Sequence, residues 1–332
     1  MRAIQISDYG DADRLALADA PLPTPGDGEV QVEIAYAGVN FIDIYMREGI
    51  YKNIKTYPNT LPFTLGMEGS GRVNAVGAGV DEFVPGDRVA YCLSLGSYAE
   101  VAVVPAWRLV PVPDEVPLDI AAALMLQGST AHYLSHSLFP LADGQTCLIH
   151  AGAGGVGRLL IQLARLRGAR VMATVGTPEK AAIASRLGAD PAILYREDDF
   201  AEAVLAATDG EGVDVVYDSV GQATIEGSLQ SLKRRGVLAL FGGSSGSVQS
   251  VSPLALAEAG SVFLTRPHLA DYIPDAATLR ERTADLFAMH RAGKLEVAID
   301  EEIPLADAAR AHHTIESRRT TGKLLLAIGA EA

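Results

Sequence analysis

Residues 147–168 read CLIHAGAGGVGRLLIQLARLRG: a short apolar run, a cluster of glycines and alanines, then an apolar-periodic segment. At the joint stands the pattern Gly152-x-Gly154-x-x-Gly157. A strand that turns this sharply into a helix packs backbone against backbone, and residues without a Cβ allow it. The turn also aims helix N-terminal N–H groups at whatever lies in front, which suits a pyrophosphate. The pattern alone is a weak signal. Placed between a strand-like run and a helix ending at Gly168, it predicts the first βα unit of a dinucleotide-binding fold.

The surrounding sequence supports that reading. From about Asp119, helical patterns alternate with short apolar runs: TCLIHA, RVMATVG, VDVVYDSVG, GVLALFGG and SVFLTRP. Such alternation predicts a parallel sheet with helices on both faces. Earlier, EVQVEIAYAGV sets Val30, Val32 and Ile34 against Gln31 and Glu33, as a half-buried strand does, and short strands between glycine turns follow. Near Leu264 the alternation stops. A helix then starts behind Asp275 as N-cap, carries Leu279, Leu286 and Phe287 on one stripe, and ends at Gly293. The closing run GKLLLAIG needs a sheet to join. SVFLTRP reads as an edge strand that could pair with its copy, so a homodimer is expected.

Composition narrows the function classes. The 332 residues are 48% hydrophobic and 20% charged, an ordinary globular balance. Net charge is −14 without a basic run, which argues against nucleic acid as a partner. The longest apolar runs fall short of the ~20 residues that span a bilayer. The N-terminus has no apolar signal core, so no membrane association is expected and the cytoplasm is the expected location. Two cysteines, Cys92 and Cys147, are too few for a disulfide framework or a four-cysteine zinc site.

The end of the strand after the glycine turn bears on the cofactor. A site selective for NAD places an acid there to bind the ribose 2′-hydroxyl. Here VMATVGTPEK puts Gly176 and Thr177 at that place, leaving room for a 2′-phosphate, and Lys180 offers positive charge. NADPH is the expected cofactor.

Several further stretches join this turn: AGVNFIDIYMREGIY, LPFTLGMEGSGRV, LQGSTAHYL, HAGAGGVG, VGTPEK, YREDD, VVYDSVG, FGGSSG, LTRP and ESRRTTGK. In this order they resemble the zinc-free NADPH:quinone oxidoreductases, or ζ-crystallin-like proteins, of the medium-chain dehydrogenase/reductase superfamily, over essentially the whole chain. The resemblance implies an α/β protein: a GroES-like β-rich catalytic domain from residues 1–123 and 265–332, around an inserted Rossmann NADP-binding domain at 124–264. It also implies a homodimer.

Zinc-dependent relatives carry cysteine at the position of Asn40 and histidine at that of Met67. Glu68 alone cannot replace a thiolate–imidazole pair, and His132 and His136 are a weak metal signal. No metal is expected, so the acceptor must take hydride without strong Lewis-acid help, as a quinone or conjugated carbonyl can.

The resemblance also places site residues. Asn40, Tyr45 and Thr130 fall near the nicotinamide, with Tyr45, Gln127 and Thr130 as candidate catalytic partners of a substrate carbonyl. Gly154, Gly155 and Val156 fall at the pyrophosphate. Gly176, Thr177, Lys180, Tyr195 and Arg318 fall around the adenosine 2′-phosphate, and Thr174 is a further cofactor-binding candidate. Ser219, Phe241, Gly242 and Ser244 lie at strand ends, and Thr265, Arg266 and Pro267 close the nicotinamide side. Asp218 reads as a loop-ordering acid. Hydride transfer to a quinone is the leading expectation, with a one-electron route open. Reduction of an enone or alkenal double bond is the alternative. A nucleotide-binding structural or RNA-binding role is the alternative of another class.

Overall fold

The computed structural model describes residues 1–53, 57 and 60–329. The chain forms two compact units. The first comprises 1–127, 273–293 and 297–332, and the second comprises 128–272 and 294–296. Among the described residues, no helix is long and apolar enough to cross a membrane.

The first unit is built on a seven-stranded sheet. At its centre Glu29–Val39 pairs antiparallel with Glu68–Val76, Val101–Pro105 and Lys323–Ala327. The final apolar run thus joins the N-terminal sheet, as its composition requires. Val30, Val32 and Ile34 are fully buried and Glu33 is exposed, in keeping with the alternation. Gln31 differs. It is buried, because its amide donates to the Pro23 carbonyl and accepts from the side chain of Asn74. The late helix runs Ala276–Arg291, with the Asp275 side chain accepting from Thr278 N–H at 2.8 Å. Leu279, Leu286 and Phe287 are its buried stripe, and Gly293 follows at φ +67°.

The second unit carries a six-stranded parallel sheet: β1 (Thr146–Ile149), β2 (Arg170–Val175), β3 (Ala189–Leu194), β4 (Val213–Asp218), β5 (Leu232–Leu240) and β6 (Phe263–Thr265). Its order is β3-β2-β1-β4-β5-β6, the doubly wound dinucleotide order. Register aligns Met172, Leu148, Val216, Leu238 and Leu264 in one row across five strands. The first four are buried and form the core under Val204 and Leu229 from covering helices. Cys147 is a buried thiol of β1. On the edge strand β6, Phe263 is 57% exposed.

Candidate active site

The glycine turn has the geometry that its sequence demands. Helix α1 (Gly155–Leu166) starts directly after Gly154, which is its N-cap at φ −80° and ψ 174°, and no side chain caps it. A Cβ on Gly157 would lie 2.3 Å from the Ala151 carbonyl oxygen, so that residue must be glycine for the helix to begin here. A Cβ on Gly154 would meet only the Ala151 oxygen, at 3.2 Å, leaving open space before the turn. Gly154, Gly155 and Val156 are partly exposed there. An uncapped helix terminus behind a bare backbone fits a pyrophosphate, so the residues present fit a dinucleotide.

At the end of β2, Thr174 is buried and Gly176 is followed by Thr177, whose hydroxyl caps helix α2 (Pro178–Leu187) by accepting from Lys180 N–H at 3.3 Å. Tyr195, just beyond β3, is 42% exposed, and its hydroxyl would lie 3.1 Å from a Cβ on Gly176. Gly176, Thr177, Lys180 and Tyr195 therefore cluster at one corner of the sheet. Arg318 belongs to the first unit, exposed at φ +58° after helix Ala308–Glu316.

The ends of β4, β5 and β6 bring together a second set. Ser244 N–H donates to the Ser219 carbonyl, and Gly242 packs so close to Ser219 that a Cβ would sit 2.5 Å from its carbonyl oxygen. The Arg266 guanidinium donates to the carbonyls of Phe241 and Pro267 at 2.9 and 3.1 Å, tying β6, which ends at Thr265, to the end of β5. Asp218 orders the turn below them: Oδ1 accepts from the N–H groups of Val220 and Gly221, and Oδ2 from the hydroxyls of Thr224 and Ser228. Its role as a loop-ordering acid is thus structural fact.

Helix Leu118–Tyr133 carries half-buried Gln127 and buried Thr130. One turn beyond, His132 and His136 stack with ring centroids 4.1 Å apart. In the first unit, the half-buried Tyr45 ring lies 6.2 Å from that of Phe41 and 5.6 Å from that of Tyr51.

Asn40 sits in a buried polar cluster that sequence reasoning missed. Its Nδ2 donates to Glu68 Oε2 at 2.8 Å and its Oδ1 accepts from Lys323 Nζ at 2.7 Å. Lys323 and Glu68 form an ion pair at 2% and 0% side-chain exposure, and Glu68 Oε1 accepts from Leu126 N–H, the residue before Gln127. Gly38 makes room, since a Cβ there would strike the Glu68 carboxylate. Both ends of the Asn40 amide are thus engaged, and an ammonium already balances the Glu68 carboxylate. With fully buried Met67 offering a thioether, Asn40, Met67 and Glu68 do not fit a zinc ion. The carboxylate and the ammonium are 255 residues apart in sequence, which hid the pair.

Beside this cluster runs a directed chain. Arg47 Nη1 meets His312 Nδ1 at 3.1 Å, and a guanidinium only donates, so Nδ1 accepts. His312 Nε2 therefore holds the ring proton and gives it to Tyr98 Oη at 3.2 Å, and Tyr98 donates to Asp43 Oδ2 at 3.2 Å. Asp43 also accepts from Asn40 N–H at 2.8 Å, whereas its Oδ1 is buried without a partner. Burial pushes the Asp43 carboxyl up to about 7, and burial with the Arg47 charge brings His312 down to about 3.

Comparison with known proteins agrees with the architecture. Residues 26–114 match the family described as alcohol dehydrogenase GroES-like domain, and residues 155–273 match the one described as zinc-binding dehydrogenase. A quinone oxidoreductase of Pseudomonas aeruginosa is 41% identical over 326 residues, covering 98% of this chain and 99% of its own. A 2-haloacrylate reductase of a Burkholderia species is 41% identical over 298 residues, 87% of each. The crystal structure of Escherichia coli quinone oxidoreductase complexed with NADPH superposes with a TM-score of 0.95 at 39% identity, covering 98% of this chain and 100% of that one. With two-domain likeness at this identity and near-complete coverage, the chain belongs to the quinone oxidoreductase family of the medium-chain dehydrogenase/reductase superfamily.

Proposed function

We propose that this protein catalyses NADPH + H⁺ + quinone → NADP⁺ + hydroquinone without a metal ion. The observation that carries the reading is the β2 corner, where Gly176 stands in place of an acid, with Lys180 and Tyr195 beside it, next to the uncapped glycine turn. NADPH when bound supplies the hydride. The chain supplies position and charge: Gly154, Gly155 and Val156 hold the pyrophosphate, and Thr174, Gly176, Thr177, Lys180, Tyr195 and Arg318 serve the 2′-phosphate side. Ser219, Phe241, Gly242, Ser244, Thr265, Arg266 and Pro267 line the way to the nicotinamide from the sheet's carboxyl edge. Asn40 orders the backbone at the start of helix Phe41–Arg47, with its side chain committed to Glu68 and Lys323. Tyr45, Gln127 and Thr130 are assigned to the substrate carbonyl, the proton coming from one of these hydroxyls or from water.

Catalysis is assigned chiefly to the first unit and cofactor binding chiefly to the second, close to the sequence bounds of 1–123 and 265–332 around 124–264. The protein works in the cytoplasm as a homodimer, in line with the exposed Phe263 on the edge strand. A second reading, reduction of an activated carbon–carbon double bond, is favoured by the 41% identity to the 2-haloacrylate reductase. Steady-state assays with NADPH against a panel of quinones and enones decide between them. Quinone turnover is expected, and turnover of enones alone would overturn the first reading. Metal analysis of the active enzyme tests the metal-free claim.

A further inference from the structure

His150 ends the strand run immediately before the glycine turn, and it is 1% exposed. Its ring is the middle of a second polar chain, inside the second unit. Nδ1 lies 2.8 Å from Thr174 Oγ1, and Nε2 lies 3.0 Å from Ser228 Oγ. Ser228 spends its only proton on Asp218 Oδ2, at 2.8 Å. Towards His150 it can therefore only accept, which puts the ring proton on Nε2 and leaves Nδ1 to accept from the Thr174 hydroxyl. Every group has one role, and the chain reads Thr174 → His150 → Ser228 → Asp218. The Phe200 ring stands edge-on to the imidazole, 4.9 Å away at 83°, and fixes its plane.

The two ends of this chain are not equivalent pieces of core. Thr174 lies two residues before Gly176, at the corner assigned to the 2′-phosphate. Asp218 holds the Ser219–Gly221 turn, whose Ser219 packs on Gly242. His150 itself is anchored by its N–H to the Tyr217 carbonyl, and Gly152 N–H donates to the Thr174 carbonyl. One imidazole thus joins the carboxyl ends of β1, β2 and β4, on which the three parts of a bound dinucleotide would rest.

We infer that His150 is a positioning residue for the dinucleotide, setting the spacing between the β2 corner and the β4 turn through Thr174 and Asp218. This rests on the NADPH reading above. A ring that is apolar throughout, such as phenylalanine, fills the space but leaves both hydroxyls without their partner. Glutamine presents one acceptor and one donor and preserves the polarity of the chain.

The test measures NADPH and NADH dissociation constants by fluorescence titration, with kcat, KM and thermal midpoint for each variant. His150→Phe is expected to weaken NADPH binding about tenfold, the equivalent of one hydrogen-bonded link, with kcat at saturating NADPH changed much less. His150→Gln is expected to restore most of the affinity. Ser228→Ala, which leaves the imidazole in place, is expected to weaken binding in the same direction, and the double variant to lose less than the sum. A lowered thermal midpoint with unchanged dissociation constants would show a purely structural histidine and overturn the inference. If His150→Phe does not fold, Ser228→Ala and His150→Gln separate the same two outcomes. Wild-type protein that binds NADPH but turns over no quinone would overturn the proposed reaction while leaving the positioning role standing.

Discussion

The hydroxyl of Tyr195 stands over the bare Cα of Gly176, so near that a Cβ there would lie 3.1 Å from it. Under the proposed function this contact couples cofactor choice to a residue type. Gly176→Asp would add a carboxylate where the 2′-phosphate is assigned and press on the tyrosine. The preference for NADPH over NADH, as a ratio of kcat/KM values, is expected to fall at least about tenfold, the effect of about 1.4 kcal/mol. An unchanged ratio would place the phosphate elsewhere.

Lys180 and Arg318 are the two cations that the proposed function assigns to the 2′-phosphate. Lys180→Ala and Arg318→Ala are each expected to weaken NADPH binding more than NADH binding, with the NADPH loss shrinking at high salt. Equal losses for both cofactors would remove these residues from the 2′-phosphate.

The buried Lys323–Glu68 pair makes a stability prediction. Lys323→Met leaves the buried Glu68 carboxylate without its counter-charge, a cost of about 3–5 kcal/mol. The double variant Lys323→Met with Glu68→Gln is expected to recover much of this in urea denaturation. If both cost the same, the pair is not coupled as its geometry requires.

Asp43 and His312 give opposing pH dependences. Asp43, raised to about 7, keeps its proton in the folded state, so its contribution is greatest at acid pH and is lost as pH rises from the ordinary aspartate range to about 7. His312, lowered to about 3, stays neutral when folded, so its contribution is present above the ordinary 6.5 and is lost as pH falls towards 3. Between about pH 4 and 6.5 the two slopes, each up to about 1.4 kcal/mol per pH unit, oppose one another. Asp43→Asn is expected to leave stability rising with pH across that window, and His312→Gln to leave it falling. Parallel urea-midpoint profiles for the two variants would contradict this.

What the sequence made legible follows the range of each interaction. The glycine turn, the β-α alternation and the Asp275 cap are local patterns, and each sits where it was expected. Asp218 was readable as a turn-former because its acceptors serve N–H groups two and three residues on. The polar clusters were not readable. Glu68 finds Lys323, and Tyr98 finds His312, only after strands and helices distant in sequence have packed. His150 did leave a trace, a polar side chain closing an apolar run whose residues are buried in succession. Its partners Thr174 and Ser228 are 24 and 78 residues away, so its chemistry could not be inferred.

The position of strand Lys323–Ala327 has a consequence for how the molecule is made. It lies inside the first unit's sheet, between Glu29–Val39 and Ile299–Pro304. All six strands of the second unit are synthesised by Thr265. On the ribosome, the inserted unit therefore has its whole sheet in hand while the first still lacks an interior strand. The Glu29–Val39 edge of the first sheet therefore stays unpaired until Lys323–Ala327 has been made, long after the inserted sheet is complete.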